Sequence, residues 1–102
     1  MSTQDILKNY THAFKASYPA VTAEGVMCYA IVAGHEEPLT VGKIAEMAGM
    51  TEPVAYRELA SLSSGAGAGL ITFINMGDGR NMARLTPLGS KFRDELQKKI
   101  PV

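Results

Sequence analysis

Between Val41 and Leu62 the chain reads V-G-K-I-A-E-M-A-G-M-T-E-P-V-A-Y-R-E-L-A-S-L, and this stretch constrains the fold more than any other. Apolar residues at Val41, Ile44, Ala45 and Ala48 follow the i, i+3, i+4, i+7 spacing of one helix face, and Gly49 supplies a left-handed turn. A second helical pattern opens two residues later. With a connection of only three or four residues the two helices cross steeply instead of lying antiparallel, which is a helix-turn-helix, and the second helix projects outward. Ala45 is expected where the helices approach most closely, a position at which a larger side chain would force them apart.

The faces of the second helix follow from 100° per residue. Thr51 is placed as its N-cap, Glu52 puts a carboxylate where the helix dipole favours one, and Pro53 fits a first turn whose N–H groups lack intrahelical acceptors. Ala55, Leu59 and Leu62 share one side. Pro53, Val54, Arg57, Ala60, Ser61 and Ser64 share the other, with Tyr56 on one flank and Glu58 on the opposite flank. Arg57 is thereby expected near the middle of an exposed face, where a guanidinium can fork onto guanine O6 and N7 or onto a phosphate. Two short amphipathic helices around a glycine turn also occur in all-α proteins that bind no nucleic acid, so the segments that follow carry weight.

Those segments are L-I-T-F-I, then N-M-G-D-G-R-N, then M-A-R-L-T. Two runs of strand-favouring residues around a Gly-Asp-Gly turn predict a two-stranded β-hairpin. A helix-turn-helix followed by a hairpin is a winged helix, and the predicted class is mainly α with a small β-hairpin (α+β). In order and spacing the chain resembles the MarR family of bacterial transcriptional regulators. The resemblance runs from about Val21 to Phe92 and rests on the helix-turn-helix, Gly69-Leu70-Ile71 opening the first wing strand, Asp78-Gly79-Arg80 at the wing tip and Leu85-Thr86 closing the hairpin. It implies that Arg80 probes the minor groove and that Asp78 tethers it. A guanidinium on a hairpin tip suits the concentrated negative potential of a narrow minor groove, although Asp-Gly turns and exposed arginines also occur without any function. The chain departs from the family in having Glu58 where a leucine is usual and a neutral Ser63–Gly69 stretch where basic residues are common.

The resulting nucleic-acid-binding set is Lys43, Thr51, Glu52, Pro53, Val54, Tyr56, Arg57, Ser61, Asp78, Arg80 and Arg84, with double-stranded DNA as partner. Its cations are few. Ten basic and ten acidic residues leave the 102-residue chain with no net charge, so affinity must come from local charge placement and from doubled contacts in a dimer. An apolar fraction of 46% with 20% charged residues is ordinary globular composition, and the length suits one domain, residues 1–102. Within it the pattern predicts an N-terminal helix over 1–18, a core helix over 22–34, the helix-turn-helix over 41–64, the wing over 70–86 and a C-terminal helix over 87–99.

Around the winged helix, Ile6, Leu7, Tyr10 and Phe14 fall at helical spacing before Pro19, and Leu88, Phe92 and Leu96 line the C-terminal helix. Thr22 and Thr86 are placed as caps, with Val21 and Val26 spaced as a hydrophobic staple. In MarR-like proteins such terminal helices cross-pack into a two-fold dimer, which implies a homodimer through Ile6, Leu7, Tyr10, Phe14, Phe92 and Leu96. The other reading is that Tyr10, Phe14, Phe92 and Leu96 complete each monomer's own core.

The single cysteine, Cys28, lies in the apolar run from Gly25 to Ala33 and is expected to be an inert core thiol, since no neighbour in sequence lowers its pKa. His12 and His35 share no ligand spacing with it, so neither metal nor other cofactor is expected. No apolar run reaches membrane-spanning length and the first five residues are polar, which points to a cytoplasmic protein with no membrane partner. No Ser/His/acid set, Cys/His set or phosphate loop is present, so no enzyme is expected. The competing reading is a winged helix that binds a protein partner, as a phage or plasmid accessory factor would, through Val54, Tyr56 and Met76. A small-molecule effector is compatible with either.

Overall fold

The computed structural model describes residues 3–63, 68–75 and 81–99, without the side chains of 3–7, 75 and 97–99. Helices α1 (Thr3–Ser17) and α2 (Ala23–Ala33) are followed by a two-residue strand β1 (Leu39–Thr40), helices α3 (Val41–Ala48) and α4 (Glu52–Leu62), strands β2 (Ile71–Asn75) and β3 (Asn81–Leu85), and helix α5 (Pro87–Lys99). The helices match the spans expected from the periodicity. The sheet does not stop at a hairpin: β1 pairs with the outer edge of β3, giving an antiparallel order β1-β3-β2. A two-residue strand carries too few side chains to show a period of two, and Leu39-Thr40 reads in sequence as the lead-in to a helix.

Caps set the helix starts. Thr22, Thr40 and Thr51 each hold extended backbone and accept a hydrogen bond from the N–H three residues on, at Gly25, Lys43 and Val54. Thr86 does the same for Gly89 at 3.0 Å, while its own hydroxyl donates to the Gly69 carbonyl at 2.6 Å. The turn between α3 and α4 is a Schellman closure. Gly49 sits at φ 72°, its N–H reaches the Glu46 carbonyl at 3.3 Å, and the Met50 N–H reaches the Ala45 carbonyl at 3.0 Å.

The core is built around α2. Tyr29, Cys28, Ile44, Ala55, Leu59, Leu62, Leu70, Ile71 and Ala83 are fully buried, joining α2, α3, α4 and the wing strands in one cluster. Cys28 is the buried core thiol the sequence predicts; burial, with the negative charges of Glu58 and Glu24 adding to it, pushes the thiol up to about 11, and its Sγ lies 3.8 Å from Met50 Sδ. Ala45 is buried as expected, and a second small residue of α3 also lies under α4: a Cβ built on Gly42 would come within 2.5 Å of Glu52 Oε1.

The terminal helices meet over a set of tilted aromatic rings. Phe14 packs edge-on against Tyr29 and Phe92, with centroids 5.1 and 5.2 Å away, and Tyr10 lies 6.0 Å from Tyr29. Of the residues assigned to a dimer interface, Tyr10, Phe14 and Leu96 are therefore covered within a single chain, at 5%, 1% and 5% exposure, and Phe92 is half-buried. All four pack into the monomer's core, and Tyr10, Phe14 and Leu96 have almost no surface left for a second copy. The side chains of Ile6 and Leu7 lie outside the described residues.

Candidate nucleic-acid interface

The open face of α4 is the one the periodicity predicts. Ala55, Leu59 and Leu62 point into the core, while Pro53, Arg57 and Ser61 are exposed and Val54 and Ala60 partly so. Thr51, at the start of the helix, is exposed as well. The Ser61 hydroxyl turns back to the Arg57 carbonyl at 3.2 Å, which holds it along the helix instead of across a groove. Tyr56, on one flank, stacks on Phe73 of β2 with ring planes 19° apart and centroids 5.2 Å apart. That stack is a direct contact between the helix and the first wing strand.

Glu58 is not on a flank. Its residue is 4% exposed and belongs to the buried side of α4. The reason is geometric: positions 55, 58, 59 and 62 form one i, i+3, i+4, i+7 stripe, and a charged residue in that stripe is carried inward with its apolar neighbours. Burying a carboxylate is costly unless it is partnered, and this one has two partners. Oε2 accepts a hydrogen bond from the Thr22 hydroxyl at 2.5 Å, and Oε1 lies 3.4 Å from Arg57 Nη2. Thr22 Oγ1 also accepts from the Gly25 N–H at 3.1 Å, so one hydroxyl both caps α2 and anchors α4.

Other expected site residues are more dispersed. Glu52 lies against the first turn of α3, over Gly42, where the amide ends of that helix favour a carboxylate. Lys43 is exposed on α3 and 4.0 Å from Glu46. Arg84 is exposed on β3, directly opposite Thr72 of β2. Asp78 and Arg80 lie outside the described residues, as does Met76. The sequence reading missed three contributors: Thr22 as more than a cap, Glu58 as a buried partner, and Phe73 as the ring beneath Tyr56. For Glu58 the signal was present in the stripe itself.

Among the described residues no group of three or more His, Cys, Asp or Glu side chains is arranged to hold a metal ion, and no helix is long and apolar enough to cross a membrane.

No protein-family profile matches the sequence, and no curated protein matches it. Solved structures do match. MepR, a transcription regulator of the Staphylococcus aureus multidrug efflux pump MepA, superposes with a TM-score of 0.71 at 18% identity over 94% of this chain and 68% of its own. The S. aureus MepR–DNA complex gives 0.72 at 20% identity, covering 93% of this chain and 76% of that one. A MarR-family transcriptional regulator from Silicibacter pomeroyi gives 0.69 at 19% identity, over 93% and 61%. A candidate DNA-binding protein of Ralstonia eutropha gives 0.62 at 26% identity, over 76% and 98%. The helix-turn-helix, the sheet and the flanking helices together give this chain the winged helix-turn-helix fold of the MarR-family transcription regulators.

Proposed function

We propose that the protein is a cytoplasmic transcription regulator that binds specific sequences of double-stranded DNA, acting as a homodimer and as a repressor, with α4 in the major groove and the wing in the minor groove. The observation that carries this reading is the open face of α4. Pro53, Arg57 and Ser61 are exposed on a helix whose other side is fixed in the core and whose flank is stacked on the wing. A rigidly held helix with an arginine on its free face is what major-groove readout requires. The likeness in fold to MepR, which has been solved in complex with DNA, supports DNA as the partner. Arg84, Lys43 and the wing-tip pair Asp78 and Arg80 are assigned to the phosphates and the minor groove on the same reading.

The test is selection of bound duplexes from a random library by the purified protein, followed by titration of the best site with wild type and Arg57→Ala. Loss of the arginine is expected to weaken specific binding by about 1–3 kcal/mol, with only a small drop in melting temperature because Glu58 keeps the Thr22 hydroxyl as a partner. Equal binding by the variant removes Arg57 as the reader. If no duplex binds above background, the protein-interaction reading replaces this one.

A further inference from the structure

Glu58 and Arg57 are adjacent on α4, and adjacent residues on a helix point about 100° apart. Their side chains do not meet by default. For Arg57 Nη2 to lie 3.4 Å from Glu58 Oε1, the arginine must fold back around the helix flank toward the N-terminus of α2. Arg57 remains 71% exposed, whereas Glu58 is 6% exposed and fixed from behind by the Thr22 hydroxyl. The fixed member of the pair is therefore the carboxylate, and the guanidinium is the group whose position is set. Gly25 allows this closeness, since a Cβ there would lie 2.8 Å from Val21 Cγ1 and 3.4 Å from Glu58 Oε2.

We propose that Glu58 is a positioning residue for base readout: held by Thr22, it fixes the direction from which the Arg57 guanidinium meets a base pair. This rests on the DNA-binding reading above. An arginine on an exposed helix face samples many rotamers and reaches phosphates as readily as bases, because both are acceptors. An ion pair at one guanidinium nitrogen biases the direction of the remaining donors, which favours a single bidentate partner over a diffuse attraction to the backbone. The consequence lies in selectivity. Removing the carboxylate frees the arginine, so the variant should bind nonspecific duplex more tightly and discriminate less.

The experiment is a double-mutant cycle on a selected duplex. Arg57→Ala first identifies the base pair at which discrimination is lost. Glu58→Gln keeps an oxygen to accept from Thr22 but removes the charge, and discrimination at that same base pair should fall at least threefold while other positions are unchanged. In the Arg57→Ala background Glu58→Gln should add nothing, because Glu58 acts through Arg57. Thr22→Val, which frees the carboxylate and leaves the charge in place, should reproduce part of the loss, and Thr22→Ser should restore it; these two decide the matter if Glu58→Gln does not fold. Unchanged discrimination in Glu58→Gln, with Arg57→Ala still defective, overturns the positioning role and leaves the DNA-binding reading intact. An equal drop in overall duplex affinity in both backgrounds also overturns it, since Glu58 would then act through the fold. No duplex binding by wild type overturns both.

Discussion

A single methyl group added at Gly89 sets two effects of opposite sign against each other, and the structure decides which is larger. Gly89 lies in the first turn of α5, and glycine-to-alanine replacement in a helix is favourable by at most about 1 kcal/mol on propensity. Against that, a Cβ at this position would stand 1.9 Å from the Leu70 carbonyl oxygen and 2.9 Å from its carbon. Both are backbone atoms that cannot rotate aside. Leu70 is also pinned, its N–H donating to the Leu62 carbonyl at 2.8 Å and its carbonyl accepting from the Thr86 N–H at 3.0 Å. The start of α5 must then move away by more than about 1 Å to reach ordinary contact distance. That movement pulls the Gly89 carbonyl from the Tyr29 hydroxyl, which now donates to it at 2.7 Å inside the core.

An orphaned buried hydroxyl costs about 1–3 kcal/mol, and forced overpacking a similar amount. The net effect of Gly89→Ala is a loss of about 1–5 kcal/mol, out of a total stability of about 5–15 for a domain of this kind. At about 4–8 °C per kcal/mol, the melting temperature should fall by at least about 4 °C, with an unchanged urea m-value. Thermal and urea unfolding followed by circular dichroism measure both, with the exposed Lys91→Ala as a control that should stay within about 0.5 kcal/mol. A Gly89→Ala protein as stable as wild type would refute the close approach of α5 to Leu70.

Gly42→Ala makes the opposite case: its Cβ would also sit too close to an atom, but that atom is the end of the exposed Glu52 side chain, which can rotate away, so unfolding experiments should show a change under about 1 kcal/mol in either direction. Alkaline pH should destabilise the fold. The Cys28 thiol titrates near its ordinary value of 9.0 when unfolded and is pushed up to about 11 when folded, so the unfolded chain loses its proton first and stability falls as pH rises from about 9 to 11, by an amount on the order of 3 kcal/mol. Tyr29 is raised too, chiefly by burial, and adds to the loss above pH 10; Cys28→Ala should show a shallower decline between pH 9 and 10, and an identical decline would assign the effect elsewhere.

The helices were legible because their signals are local. Spacing gave α3 and α4, threonines gave the caps, and Gly49 gave the turn with its positive φ. The wing strands were legible for the same reason. What sequence reading misplaced depends on partners distant in the chain. Strand β1 exists because β3, some forty residues later, offers it an edge. Tyr10 and Phe14 are apolar on a helix face whichever surface covers them, and only the packing of α5 over α1 and α2 shows that this chain covers them itself. The 100° rule alone sets Glu58 on a flank, although its position in the 55, 58, 59, 62 stripe points inward; Thr22, 36 residues away, is what makes the inward position tolerable.

On the proposed function, the charge available to a duplex follows from these pairings. Lys43, Arg57, Arg80 and Arg84 would offer four cations per chain and eight per dimer, and at about 0.9 counterions per neutralised phosphate the logarithmic salt slope would be about −7. Two of the four stand beside carboxylates, Lys43 with Glu46 at 4.0 Å and Arg57 with Glu58 at 3.4 Å. A paired cation releases little net counterion on meeting a phosphate, because its carboxylate stays in place or must itself be neutralised. Asp78, assigned as the tether of Arg80, takes a third, so about one effective cation per chain remains, and the slope for a dimer should be about −2, and about half that if one chain binds alone. Titration of a selected duplex at several salt concentrations, with the stoichiometry fixed by sedimentation, reads this directly. Glu46→Gln should steepen the slope by about one unit for each protomer bound by releasing Lys43. A wild-type slope near −7 would mean that these ion pairs do not restrain the cations at all, and a Glu46→Gln slope equal to wild type would mean that Lys43 does not face the DNA.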